Sequence, residues 1–230
     1  MRLIERTAFH EAGHAICYIA QGKRFAYATI KPGEGFLGHV KSAGRTPRNI
    51  QYDDSPRMRR WIEEQVICSA GGNVAERFFA KKRIVAGSCR DWFNIFDLLE
   101  LHSSSVEEIS AHHALLTIRT RDLLLKPFTW RMVEAVAEAL LQKQTLKFDE
   151  ARDIARQAVD ALSKPSARGD VERLQRDIAD YRRKFPTRFS DFIWEVGEAA
   201  KKGATNGHTN TRPGPERRAA AADRRPAITG

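Results

Sequence analysis

Cysteine is scarce in this chain: Cys17, Cys68 and Cys89 are the only three in 230 residues, widely spaced and without a CxxC pair. That excludes a disulfide framework and fits a reducing compartment, so a cytoplasmic location is expected. Long hydrophobic runs are missing too. The longest uncharged stretches, Ala12 to Gly22 and Val66 to Ala75, fall far short of the roughly 20 residues that cross a bilayer. Met1 leads into Arg2, Glu5 and Arg6 rather than an apolar segment, so neither a membrane span nor a signal peptide is expected. No stretch matches GxxxxGK[ST], which leaves the chain without a phosphate-cradling loop for ATP. Residues 201–230 contain no aromatic side chain and are rich in Gly and Pro, so they have nothing with which to offset their ordering entropy and read as a disordered tail.

What is present is a body able to fold. Hydrophobic residues make up 42% of the sequence, enough to bury a core, and the net charge is +10. Half of that excess sits in the tail, where Lys201, Lys202, Arg212, Arg217, Arg218, Arg224 and Arg225 face only two acids. The tail is thus a candidate tether to an anionic partner, or simply a solvated extension.

Apolar residues fall at helical spacing from Leu3 to Ala20, ahead of Gly22. Two short strands, Phe25 to Ile30 and Phe36 to Val40, flank the turn cluster Pro32-Gly33-Glu34-Gly35 and predict a small β-ribbon. Pro56 opens a helix that runs to Phe79 through Gly71-Gly72, a pair that points to a close helix contact. Further helices are expected over Arg90–His102, Val106–Lys126, Phe128–Gln144, Asp149–Leu162, 170–184 and 187–200. The fold class expected is therefore mainly α: a helical array with a small β-ribbon over 1–164, a helical C-terminal extension over 165–200 and a basic tail over 201–230.

One constellation carries chemistry. His10-Glu11-Ala12-Gly13-His14 lies inside the first helix, where four residues advance the chain by about 400° and about 6 Å, so both imidazoles project from one face. Two imidazoles so placed can reach one Zn²⁺ at about 2.0–2.1 Å, and Glu11 points beside them, where it can take a proton from an attacking water. Such a match arises by chance in on the order of one chain of this length in a hundred. A hydrolytic zinc site needs a third protein ligand. Asp91, Glu76, Cys17, Cys89, His39, His102, His112 and His113 all supply suitable donor atoms, and each also has an ordinary structural reading as a cap, a core residue or a solvated side chain.

Four blocks occur in an order that resembles the peptidase domain of the FtsH family, the membrane-anchored, ATP-dependent zinc proteases. They are Thr7 to Ala15 around the two histidines, Gly35-Phe36-Leu37-Gly38-His39-Val40, Ala70-Gly71-Gly72-Asn73-Val74-Ala75-Glu76-Arg77, and Ala86-Gly87-Ser88-Cys89-Arg90-Asp91. Ala139 to Leu146 is similar to that family's final helix, so the likeness spans about residues 3–160. It implies that Asp91 is the third zinc ligand with His10 and His14, that Glu11 is the general base, and that Gly38, His39 and Val40 belong to a substrate-binding strand. Arg90 stands where the family has Asn, the ATPase module and membrane anchors are absent, and residues 165–230 have no counterpart. The expected activity is a zinc-dependent endopeptidase acting on unfolded or flexible polypeptides, served by a separate ATPase or adaptor if by any, and able to oligomerise. The alternative is a catalytically weak peptidase fold retained as an interaction or regulatory module.

Overall fold

The structure, a computed structural model, describes residues 2–33, 36–81 and 89–186. Among these, seven α-helices and three short strands follow in the order α1 Leu3–Ala20, β1 Phe25–Thr29, β2 His39–Ser42, α2 Pro56–Ala80, α3 Cys89–Glu100, α4 Val106–Leu124, α5 Pro127–Lys143, β3 Thr145–Lys147, α6 Phe148–Leu162 and α7 Arg168–Lys184. The protein is mainly α with a small antiparallel sheet. Expected and observed helix bounds agree within about two residues, the usual uncertainty of helix ends. The expected helix over 187–200, the tail, the Glu34-Gly35 turn residues and the Ala86-Gly87-Ser88 segment lie outside the described residues.

Local chemistry explains the helix limits. Ser55 accepts a hydrogen bond from the Met58 N–H at 3.2 Å, and Pro56 follows where its missing donor costs nothing. Ser105 does the same for α4 by accepting from Glu108 N–H at 3.2 Å. Lys81 and Gln144 close α2 and α5 in the left-handed conformation, with φ of 49° and 61°.

The strands depart from expectation in two ways. The second strand is His39–Ser42 rather than Phe36–Val40: Phe36 instead bridges back to Gly33, and pairing with β1 begins only where His39 meets Thr29. A third strand, Thr145–Lys147, completes the sheet in the order β2-β1-β3, with Ala28 opposite both Val40 and Leu146. Leu146 is fully buried, so this short strand ties the end of α5 to the core.

The centre of the molecule is the crossing of α1 and α2. A Cβ on Gly13 would strike the Gly71 carbonyl oxygen and lie 2.5 Å from the Ala75 Cβ, and a Cβ on Gly71 would lie 2.7 Å from both the Gly13 oxygen and Cys17 Sγ. Only glycine at both positions lets the two backbones touch, which answers the expectation drawn from Gly71-Gly72. Ala8, Ala12, Ala15 and Ile16 of α1 are fully buried around this contact.

The last described helix, α7, joins the same core. Leu174 and Ile178 of α7 are buried, Tyr181 meets Phe78 edge to face with ring centroids 4.8 Å apart, and Arg182 donates to Asp122 at 3.1 Å. From Phe78 the aromatic contacts continue through Trp130 to Phe9, which stacks on Phe79. Phe9 immediately precedes His10, so α7 buttresses the helix that carries the two histidines. Among the described residues, no helix is long and apolar enough to cross a membrane.

Candidate metal centre

The α1–α2 crossing places His10 and His14 directly over the α2 backbone. Their Nε2 atoms stand 3.0 Å apart, and Asp91, in the first turn of α3, brings Oδ2 to 3.0 Å from His10 Nε2 and 3.4 Å from His14 Nε2. These three side chains form a group whose ligand atoms converge. In a tetrahedral ion with bonds of about 2.0–2.1 Å, ligand atoms are about 3.3 Å apart, close to this spacing.

The hydrogen bonds behind the rings decide what the converging atoms offer. His14 Nδ1 lies 2.7 Å from the Cys68 carbonyl oxygen and 3.3 Å from the Gly72 N–H; the shorter contact is to an oxygen that can only accept, which places the proton on Nδ1 and leaves Nε2 to present its lone pair. His10 Nδ1 lies 3.1 Å from Glu76 Oε2, and a carboxylate likewise holds the proton on Nδ1. Two imidazole lone pairs and a carboxylate oxygen then meet with no donor among them. Such a set is stable only around a cation, whether a metal ion or protons.

Protons are what the metal-free site takes. Burial alone pulls the His10 imidazole down, but hydrogen bonds to Asp91 and Glu76 outweigh it and raise the pKa from 6.5 to about 10. His14 is raised as well: burial opposes its charge, and the Asp91 carboxylate prevails. Asp91 would be pushed up by burial, yet the facing His14 and His10 hold it well below the usual carboxylate range.

Gly72 forms the floor of this site. A Cβ there would lie 2.6 Å from His10 Nε2 and would also strike His14 Nε2. The absence of a side chain keeps open the space below the ligand atoms. Charge fits the same reading: among the described residues lining the cleft, Glu11, Glu76 and Asp91 face Arg6 as the one permanent cation, leaving a deficit that a divalent cation balances when all three are ionised.

The site opens into a cleft of about 850 Å³. Glu11 lines it beside the two histidines although it is only 4% exposed, and burial raises its pKa against the opposing pull of His10 and His14. Gly38 crosses immediately above: a Cβ on it would lie 2.6 Å from Glu11 Oε1. Gly38 precedes β2, whereas His39 and Val40 lie within it, and all three line the cleft. β2 is an outer strand of the sheet.

The other third-ligand candidates lie elsewhere or act differently. Glu76 orients His10 from behind. Cys17 is buried against Gly71, and burial pushes its thiol well up, as it does Cys68, to about 12. His113 is buried edge-on to Trp92 and bonds Thr117 Oγ1 at 3.2 Å, with burial driving its pKa down to about 3. His102 faces Asp54 at 3.2 Å, His112 faces Ser103, and His39 stands beside Tyr27 and Phe36. The Cys89 side chain lies outside what is described.

Sequence reasoning missed Arg6, whose Nε donates to Glu76 Oε1 at 2.9 Å, and the carbonyl of Cys68. A main-chain acceptor leaves no mark in residue type, and a pair separated by 70 residues leaves none in spacing. No protein-family model and no curated protein matches this sequence.

Proposed function

We propose that this chain is a zinc-dependent endopeptidase, with His10, His14 and Asp91 as metal ligands and Glu11 as general base. One observation carries the reading: Nε2 of His10, Nε2 of His14 and a carboxylate oxygen of Asp91 converge over Gly72, with a buried carboxylate beside them and an open cleft in front. Zinc held there would acidify water to a pKa of about 7 and polarise a peptide carbonyl.

The chain's own residues supply the rest. Glu76 and the Cys68 carbonyl keep His10 and His14 in the tautomer that offers Nε2. Glu11 accepts the proton of the attacking water, helped by the burial that raises its pKa and makes it a stronger base, and then passes that proton to the departing amide nitrogen, which is far more basic than a carboxylate. Gly38, His39 and Val40 border the cleft where an extended peptide backbone can lie along the outer strand. The resemblance to the FtsH peptidase domain, carried by the same four sequence blocks, supports the assignment of zinc and of a polypeptide substrate. The buried free thiols of Cys17 and Cys68 fit a reducing compartment such as the cytoplasm.

The experiment is metal analysis coupled to digestion of an unfolded protein by wild type and Glu11→Gln. A zinc-containing Glu11→Gln that no longer cleaves supports the reading; equal cleavage by both removes Glu11 from the reaction.

A further inference from the structure

The two histidines are oriented by unlike means. His14 Nδ1 is fixed by the Cys68 carbonyl, part of the α2 main chain and immobile while the helix stands. His10 Nδ1 is fixed by Glu76, a side chain with rotamers of its own. For Glu76 to hold a ring in place, something must hold Glu76.

Arg6 is placed to do so. It lies on α1 one turn before His10, so both grip the same carboxylate from one helix face. Arg6 Nε donates to Oε1 at 2.9 Å, Nη2 donates to the same oxygen, and Oε2 is left for His10. The guanidinium holds its Nε–H and Nη2–H in fixed geometry, so two charge-assisted bonds anchor Oε1 while His10 meets Oε2, and the carboxylate is held at both oxygens. Glu76 is 7% exposed, so without Arg6 a carboxylate in this position would stand largely out of water beside Asp91 and Glu11 with no permanent counter-charge among the described residues of the cleft.

We propose that Arg6 is a positioning residue of the metal centre, locking Glu76 so that His10 presents Nε2 to the ion. The proposal rests on the zinc reading above. It assigns the Arg6–Glu76 pair to the site's affinity for metal rather than to the stability of the α1–α2 contact alone.

The test is a zinc titration against a competing chelator, using the full chain as wild type, Arg6→Met and Arg6→Lys, with thermal midpoints of the metal-free proteins measured alongside. Partners behind a metal ligand are typically worth about 10- to 100-fold in affinity. Arg6→Met should weaken zinc binding by that amount, and Arg6→Lys should recover only part of it because the ammonium lacks that fixed pair of donors. In Co²⁺-loaded protein, the visible absorption of Arg6→Met should differ from wild type, since a shifted His10 alters the ligand field. Unchanged zinc affinity in Arg6→Met, even with a lowered metal-free midpoint, overturns the proposal and leaves Arg6 as a helix tie. Should Arg6→Met fail to fold, Arg6→Lys decides: wild-type affinity overturns the proposal. Wild type that takes up no zinc overturns the zinc reading itself, which separates the two failures.

Discussion

Gly72 lies so close beneath His10 that a Cβ added to it would stand 2.6 Å from the imidazole Nε2. A methyl group there competes with a metal for the same space. Gly72→Ala should therefore lower zinc affinity by at least about tenfold, since the ion tolerates little displacement of its ligands. Gly13→Ala acts differently, because its methyl meets the Gly71 backbone; overpacking of that kind costs about 1–3 kcal/mol of fold stability. Chelator competition and thermal melting of the two variants check the contrast. A Gly72→Ala protein with wild-type zinc affinity would show that the space below the imidazoles is not used.

Acid should weaken metal binding, and the window follows from His10. Its pKa in the metal-free fold is raised from 6.5 to about 10, so the protonated ring stabilises the metal-free protein fully below about 6.5 and loses that contribution as pH rises toward 10. Metal must displace the same proton, so zinc affinity should climb through this window while metal-free stability declines. Thermal midpoints with and without zinc, from about pH 6 to about pH 8.5, should show a widening gap. A gap constant with pH would contradict proton competition at His10.

Removing α7 should unsettle the whole body. Leu174 and Ile178 are buried and Tyr181 packs on Phe78, so truncation after Ser163 exposes apolar surface worth about 3–6 kcal/mol as an upper bound. Truncation after residue 200, by contrast, should leave zinc binding unchanged, because the residues removed have little to pack with. Denaturant unfolding of the two truncations checks this. Equal stability of the chain ending at Ser163 and the full chain would mean that α7 does not contribute to the core.

Different parts of the molecule were legible to different degrees, for physical reasons. The pair His10 and His14 could be placed on one helix face from spacing alone, since 3.6 residues per turn leaves no alternative. The Gly13–Gly71 crossing was half legible: a costly glycine inside each helix signals close approach, but not to what. Thr145–Lys147 was hidden because three residues are too few for alternation to register, and its start is set by Gln144 turning left-handed. Asp91 looks like any first-turn aspartate; its convergence on two histidines 77 and 81 residues away is a property of the fold, as is the Arg6–Glu76 link. Residue type and family likeness selected Asp91, and local pattern could not.

In the proposed enzyme His10, His14 and Asp91 hold a zinc ion on which Glu11 depends to hydrolyse peptides. Zinc content and cleavage of an unfolded protein, measured together for wild type, His10→Ala and Glu11→Gln, test it most directly. Wild type should carry about one zinc per chain and lose activity to a chelator. His10→Ala should lose both metal and cleavage, and Glu11→Gln should keep the metal while losing about 10²- to 10⁴-fold in turnover. A wild-type protein free of zinc at saturating metal, or a Glu11→Gln protein cleaving at the wild-type rate, would contradict it.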